Sequence, residues 1–154
     1  MKPLQAFRYA AALAFCTFVF AACTPSNSQP VTSVTVYKTP TCGCCKKWVT
    51  HLEESGFTVK VTDLEDLSEI KQQFGVPQNL RSCHTAVVNG YVVEGHVPAD
   101  VVEKMLTEKP DIAGISVPGM PIGSPGMEVE GREADRYDIL AFNKAGQSKV
   151  YAQR

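Results

Sequence analysis

The 154-residue sequence predicts an α/β fold in which helices flank a small mixed β-sheet. Two patterns support this fold class. Segments rich in Val and Thr alternate along the chain with segments whose apolar residues recur at helical spacing, and Gly and Pro punctuate the junctions. The predicted order is strand, helix, strand, helix, hairpin and helix, which is typical of helices packed on a mixed sheet.

The first predicted strand and helix adjoin a cluster of cysteines. Residues 31–37 are predicted to form the strand. The helix is predicted to begin at the cluster, because Trp48, Val49 and Leu52 recur at helical spacing, and Gly56 stands where a helix stop is expected. We therefore expect the cysteines to lie at a helix N-terminus, with Trp48 in the core.

The later elements follow from the same patterns. A strand, a short helix, a two-stranded hairpin and a last helix are predicted over residues 57–62, 67–74, 85–94 and 101–106. Asn89-Gly90 in the hairpin is a strong turn signal. Beyond Pro110, a loop rich in Gly, Pro and Met leaves almost no regular structure, and residues 137–142 and 148–151 are predicted to form a C-terminal hairpin.

The N-terminal segment has the features of an export signal. Lys2 and Arg8 precede an apolar run that ends at Ala22, and this run is shorter than the roughly 20 residues of a membrane-spanning helix. The predicted organisation is a signal peptide (1–22), a tether (23–30) and a single domain (31–154), with a core (31–109) and an extension (110–154).

Cys23 follows Phe-Ala-Ala, which resembles a bacterial lipoprotein box except that Phe stands where Leu is usual. Lipidation of Cys23 is one hypothesis, and signal-peptidase cleavage near Ala22 is the alternative. Both predict a location on the periplasmic side of the bacterial envelope, and lipidation adds a membrane anchor. The formal net charge of -1 argues against a nucleic-acid partner and against a polybasic membrane patch.

Four of the six cysteines lie outside the export region, at positions 42, 44, 45 and 83. Because an exported compartment is oxidising, these thiols need a disulfide or a metal. Cys42 and Cys45 have C-x-x-C spacing at a helix start, where backbone N–H groups favour a thiolate. A redox switch needs only two thiols, so Cys44 supplies a third sulfur that such a switch does not require. A disulfide between the neighbours Cys44 and Cys45 would be strained, so any local disulfide should join Cys42 to Cys45.

The order of elements over residues 31–109 resembles the thioredoxin fold, and its glutaredoxin branch in particular. Matching the turn Asn89-Gly90 to the Asn-Gly of a glutaredoxin places Cys83 and His84 at the residue before the cis-proline and at that proline. In that fold this loop faces the C-x-x-C motif, and the proline is thought to keep metals out. The resemblance therefore implies that Cys83 and His84 are metal ligands that face the cysteine cluster.

The combined ligand set, Cys42, Cys44, Cys45, Cys83 and His84, is too rich in sulfur for Ca, Mg or Mn and leaves Cu(I), Zn or an iron–sulfur cluster. A tetrahedral Zn site would suit such ligands as well. The exported setting favours copper, as do two thioethers in the Gly/Pro loop, which belong to Met120 and Met127. Four close sulfurs could bridge metals, so more than one Cu(I) per chain is a further hypothesis.

Four separated motifs resemble the CopG family of copper-resistance proteins, which is also known as a domain of unknown function. They cover residues 37–48, 83–85, 94–98 and 117–128. The resemblance spans nearly the whole mature chain. It implies a periplasmic role in copper resistance or homeostasis, by copper binding, transfer or a copper redox reaction, on a thioredoxin-like core. Periplasmic copper carriers or exporters are the protein partners that fit such a role.

The sequence also allows two other functions. A thiol–disulfide oxidoreductase of exported proteins would use Cys42 as the attacking thiolate and Cys45 as the resolving thiol. The missing proline and the presence of Cys44 count against it. A Zn-stabilised structural module is a third interpretation.

Several of the candidate residues also have ordinary structural explanations. Cys83 could be a buried core cysteine, and His84 could simply bond to backbone. His96 fits a ligand and a structural role equally well, and His51 is expected to be a solvated surface residue. The two methionines of the Gly/Pro loop could fill gaps beneath it.

Overall fold

The computed structural model describes residues 32–154, so the predicted signal peptide and tether, with Cys23, lie outside the described residues. The strands within this range are β1 (Ser33–Lys38), β2 (Thr58–Asp63), β3 (Thr85–Val88), β4 (Tyr91–Glu94), β5 (Gly114–Ser116), β6 (Asp138–Phe142) and β7 (Ser148–Gln153). The helices are α1 (Gly43–Glu54), α2 (Ser68–Gln73) and α3 (Ala99–Glu108), with one 3₁₀ turn over Gln78–Leu80. No helix in the described range is long and apolar enough to cross a membrane.

All the strands of residues 32–154 form one sheet, in the order β2-β1-β3-β4-β5-β6-β7. β1 is parallel to β2 and β4 is parallel to β5, whereas the other neighbouring pairs are antiparallel. The mixed α/β class predicted from the sequence is confirmed. The sheet is larger than predicted, because the chain after α3 adds three strands to it.

The prediction of almost no regular structure directly after Pro110 is wrong at Gly114–Ser116. These three residues are buried and form β5, which lies between β4 and β6. A strand of this length is too short for side-chain alternation to reveal, and its hydrogen-bond partners come from distant parts of the chain. A Cβ at Gly114 would overlap the Val92 carbonyl, so the close approach of β5 to β4 requires glycine.

The hairpin of β3 and β4 is confirmed. Asn89 and Gly90 connect the strands with φ angles of 48° and 85°. Two successive residues with positive φ are the geometry of a type I′ turn, whose twist matches that of the paired strands. The turn fixes the register in which Thr85 pairs with Glu94.

Helix α1 begins at the cysteine cluster, as predicted. Cys42 is its N-cap residue, and the Cys42 sulfur accepts a hydrogen bond from the Cys45 N–H at 3.3 Å. The helix buries an apolar face against the sheet, made of Cys45, Trp48, Val49 and Leu52. Trp48 is fully buried, as expected, and its indole N–H donates to the Val97 carbonyl at 2.8 Å.

The prediction that His51 is a solvated surface residue is wrong. His51 is half-buried, and its Nε2 accepts the Ala99 N–H at 3.0 Å. Ala99 is the first residue of α3, where backbone N–H groups have no partner within the helix. His51 therefore joins α1 to the N-terminus of α3.

Three chain segments meet at Gly95, directly after β4. The φ angle of Gly95 is 73°, and a Cβ there would lie 2.6 Å from the Ser82 Cβ and 2.6 Å from the Val117 carbonyl oxygen. No other residue fits this close approach. Gly95 therefore lets the segment around Ser82 and the segment after β5 pack against the turn that follows β4.

We expect Gly95→Ala to lower the free energy of unfolding by roughly 1–3 kcal/mol more than Gly75→Ala does, because overpacking adds to the backbone strain. Gly75 is the matched control, since its φ of 66° is similar and a Cβ at this position would have no neighbouring atom within 4 Å. Both variants share the left-handed strain of roughly 1–2 kcal/mol. Urea denaturation of the two variants measures the difference, and equal losses would contradict a steric role for Gly95.

Candidate metal centre

The first part of the centre lies at the N-terminus of α1. Cys42 and Cys45 form a disulfide, which confirms the local pairing predicted from the sequence. Cys44 is a free thiol, and its sulfur lies 3.5 Å from the Cys42 sulfur. Cys45 is fully buried, whereas Cys42 and Cys44 are half-buried.

The segment that contains Cys83 and His84 faces this cluster. The sulfurs of the four cysteines at positions 42, 44, 45 and 83 all lie within 4.8 Å of one another. A second group shares Cys83: its sulfur and one ring nitrogen each of His84 and His96 also lie within 4.8 Å of one another. The structure thus brings together all the cysteine and histidine candidates from the sequence.

Cys83 is the residue that the two groups have in common. Its sulfur lies 3.0 Å from the His96 Nε2 and 3.3 Å from the His84 Nδ1. Burial, and next the nearby Cys44, raise the pKa of the Cys83 thiol to about 12. Cys83 is therefore a neutral thiol at physiological pH in the metal-free protein, and its S–H can donate to His96.

His96 is oriented by a backbone carbonyl. Its Nδ1 lies 2.8 Å from the carbonyl oxygen of Pro125, which can only accept a hydrogen bond. Nδ1 therefore carries the proton, and the lone pair of Nε2 points at the Cys83 sulfur. Burial lowers the pKa of His96, which favours this neutral form. A ring N–H bonded to a carbonyl is the usual support of a metal-binding histidine.

His84 is fully buried in an aromatic environment. Its ring lies 4.3 Å from the Trp48 ring and 5.0 Å from the His96 ring, centre to centre. Burial holds the pKa of His84 well below its usual range, and the neighbouring His96 and Lys71 act in the same direction. Among residues 32–154, the His84 Nε2 is the one buried side-chain N or O atom without a hydrogen-bond partner.

The other ring nitrogen of His84, Nδ1, is the one that lies near the cysteines, 3.3 Å from the Cys83 sulfur. The donor set of the centre consists of cysteine sulfurs and neutral imidazoles, which are soft or borderline ligands. The residues of the centre therefore fit a soft or borderline metal ion. Two groups of residues would offer ligands: the four cysteines at positions 42, 44, 45 and 83 once the Cys42–Cys45 disulfide is reduced, and Cys83 together with His84 and His96.

The Gly/Pro/Met loop packs directly on the centre. Its Gly119 carbonyl accepts the Ser82 hydroxyl at 2.5 Å. A Cβ at Gly126 would lie 2.7 Å from the Cys44 carbonyl oxygen and 3.0 Å from the Trp48 backbone nitrogen, so glycine is required for this contact. The loop thus lies against both Cys44 and the segment that holds Cys83.

The two methionines of this loop differ in exposure. Met120 is 53% exposed, and Met127 is half-buried next to Gly126. Each directly follows a glycine that contacts the centre or the segment before it, namely Gly119 and Gly126. Their role as copper ligands stays a prediction.

A buried ion pair behind Cys83 was missed by sequence reasoning. The ammonium of Lys71 lies 2.6 Å from the carboxylate of Glu94, which is fully buried. The carboxylate also accepts the Ser82 N–H at 2.6 Å and the Thr85 hydroxyl at 2.7 Å. Glu94 could have been noticed in the sequence, because it is a charged residue at the end of an apolar strand. No local sequence pattern, however, predicts that it pairs with Lys71.

Two solved structures share this architecture. Forms 2 and 1 of the solved structure of copper resistance protein CopG are each 44% identical to this chain, with TM-scores of 0.76 and 0.75. The matches cover 80% and 82% of this chain and 98% of each solved chain. The chain belongs to the CopG family. The resemblance found in the sequence is confirmed.

The family model DUF411, a protein family of unknown function, matches residues 80–127. In this CopG-family chain, that stretch contains Cys83, both histidines of the centre and the loop that packs on Cys44. No curated protein matches the chain.

We expect the alkylation rate of Cys83 by iodoacetamide to rise by about tenfold per pH unit between about pH 7 and pH 10 without levelling off, because only the thiolate reacts. The raised pKa of about 12 keeps the thiolate fraction small over this range. Mass spectrometry of the tryptic peptide 82–104, whose single cysteine is Cys83, gives the rate in the metal-free, oxidised full chain.

The same peptide in urea-unfolded protein is the control, and there the rate should level off near the ordinary cysteine pKa of about 8.5. A plateau near that pH in the folded protein would contradict the effect of burial on Cys83.

Proposed function

We propose that this protein binds copper in copper resistance or homeostasis, and that Cu(I) is held by Cys42, Cys44, Cys45 and Cys83. The observation that carries the proposal is the convergence of four sulfurs within 4.8 Å of one another. Thiolate sulfur is the ligand that selects Cu(I), and hard cations avoid it. The name of the CopG relatives supports copper as the metal.

The Cys42–Cys45 disulfide makes copper binding depend on the thiol state. Two of the four sulfurs are bonded to one another in the oxidised form. A dithiol reductant, which is itself oxidised to a disulfide, supplies the two electrons and two protons that convert the Cys42–Cys45 disulfide into two thiols. Copper binding then displaces the thiol protons. Reduced protein therefore offers four sulfur ligands, whereas oxidised protein offers two.

Cys83 is suited to a shared role. It belongs both to the all-sulfur group and to the group that contains His84 and His96. A thiolate common to two ligand groups can bridge two ions, which supports more than one Cu(I) per chain. Bound copper would supply a soft, redox-active cation, and the chain itself supplies the orientation of Cys83 and of the His96 lone pair.

The proposal extends to the fold and the location of the protein. We propose a thioredoxin-like core, which the neighbouring order β2-β1-β3-β4 and the position of α1 directly after β1 support. The N-terminal pattern of basic residues followed by an apolar run supports export to the periplasm, with a lipid on Cys23 as anchor. Periplasmic copper carriers or exporters would then be its partners.

We expect reduced protein to bind more than one Cu(I) per chain in an anaerobic titration against a competing chelator, and oxidised protein to bind fewer. Cys83→Ser should lower the stoichiometry of reduced protein by roughly one Cu(I) or more, because Cys83 belongs to both ligand groups. Elemental analysis of the loaded protein measures the copper content.

His51→Asn is the matched control for His96→Asn in this titration. The His51 ring bonds the Ala99 N–H and lies outside both ligand groups, so its loss should leave the copper count unchanged. The variant at His96 should weaken binding. Copper content and affinity that do not change in Cys83→Ser, or a preference for Zn(II) over Cu(I), would refute the proposal.

A second candidate function is the reduction or oxidation of disulfides in exported proteins. The observation that favours it is the Cys42–Cys45 disulfide at a helix N-terminus, in which Cys45 is buried and Cys42, the expected attacking residue, is half-buried. In the reduced protein, the Cys42 thiolate would attack a substrate disulfide, which forms a mixed disulfide and releases one substrate thiol. Cys45 would then attack the Cys42 sulfur, which re-forms the Cys42–Cys45 disulfide and releases the second substrate thiol.

An insulin-reduction assay on metal-free protein with dithiothreitol separates the two functions. If copper binding is the function, we expect turnover close to the background rate, since Cys44 lies beside the reactive disulfide and competes for it at 3.5 Å. Vigorous turnover that Cu(I) inhibits and Cys42→Ser abolishes would favour the oxidoreductase instead.

A further inference from the structure

We propose that Glu94 is a positioning residue that holds together the two chain segments carrying Cys83 and His96. This inference rests on the proposed function, because it assumes that these two side chains receive copper. Glu94 would act through the backbone rather than by touching the metal. The carboxylate of Glu94 is fully buried, directly behind the segment of Cys83.

The segment that carries Cys83 has no regular secondary structure and depends on side chains to fix it. Ser82 donates its backbone N–H to the Glu94 carboxylate at 2.6 Å and its hydroxyl to the Gly119 carbonyl at 2.5 Å. Because Ser82 directly precedes Cys83, these two hydrogen bonds fix the backbone from which the thiol projects.

The second segment begins at Glu94 itself. The next residue, Gly95, donates its N–H to the His84 carbonyl at 3.0 Å, and His96 follows. The side chain of Glu94 thus reaches back to Ser82 while its main chain continues to His96. One residue connects the segments whose Cys83 sulfur and His96 Nε2 lie 3.0 Å apart.

Lys71 and Thr85 hold the Glu94 carboxylate in place. Lys71 donates to one oxygen at 2.6 Å, and the Thr85 hydroxyl donates to the other at 2.7 Å. Lys71 also donates to the Thr85 hydroxyl oxygen at 3.0 Å. A buried ion pair is weak evidence for stability, since apolar residues of similar volume often replace one without loss. Because the Lys71–Glu94 pair contacts the segment that carries Cys83, we assign it the role of positioning that segment.

Two double variants test this role. Lys71→Met with Glu94→Leu removes both charges and also the acceptor for the Ser82 N–H. Lys71→Met with Glu94→Gln removes both charges but keeps an amide oxygen in the same place. Neither leaves an unpaired buried charge. We expect the Leu double variant to bind Cu(I) about 10- to 100-fold more weakly than wild type, as for other outer-shell partners, and the Gln double variant to stay near wild type.

Equal Cu(I) affinities in the two double variants would overturn the proposal. Val102→Ala, which removes methyl groups from the buried face of α3, is the control for stability alone. It should lower the melting temperature without changing the Cu(I) affinity.

A measurement without metal separates this inference from the proposed function. Loss of the acceptor for the Ser82 N–H should raise the alkylation rate of Cys83 by roughly tenfold in the Leu double variant, whereas the Gln double variant, which keeps an acceptor oxygen, should alkylate at the wild-type rate. If these rates differ as expected while wild type binds no copper, the copper function fails and the positioning role stands. Equal rates would overturn the positioning role.

If the Leu double variant does not fold, hydrogen exchange in the wild-type protein tests the positioning role of Glu94. The Ser82 amide should exchange with deuterium as slowly as the amides of β3, although it lies outside regular structure. Exchange at the rate of an exposed loop amide would overturn the proposal.

Discussion

The close approach of three chain segments at Gly95 is the constraint on which the metal centre depends. The Ser82 side chain and the Val117 carbonyl both lie where a Cβ of residue 95 would stand. This contact brings the end of β4, the segment before β3 and the segment after β5 to one point. Cys83 and His96 follow directly from two of these segments, so their 3.0 Å separation is a consequence of backbone packing.

Polar groups in and around the centre are buried, and most of them form hydrogen bonds with one another. Glu94 accepts from Lys71, Thr85 and Ser82, and His96 donates to Pro125. In a low-dielectric interior such bonds are strong and directional, and they hold side chains in single orientations. The buried Nε2 of His84 is the exception within the described residues, because it has no hydrogen-bond partner.

The sulfurs are already gathered while two of them are joined in a disulfide. Reduction of the disulfide would therefore add two ligands beside the Cys44 and Cys83 sulfurs, and the Ser82–Glu94 hydrogen bond that fixes the facing segment does not involve the disulfide. Binding to a preformed ligand set avoids most of the ordering cost of assembling one. The same arrangement places a disulfide next to the free thiol of Cys44, which is why copper binding and thiol–disulfide exchange are both proposed for one place.

The sequence by itself determined the features with local causes: a helix beginning at the cysteine cluster, a hairpin turn at Asn89-Gly90, and an excess of sulfur over what a dithiol needs. Each depends on residues within a few positions of one another. The tertiary structure alone decided the strand at Gly114–Ser116, the support of His96 by Pro125 and the pairing of Lys71 with Glu94, partners separated by 29 and 23 positions in the last two cases. Hydrogen bonds between distant residues leave no periodic pattern in the chain, because they depend on where the intervening turns and strands bring their atoms.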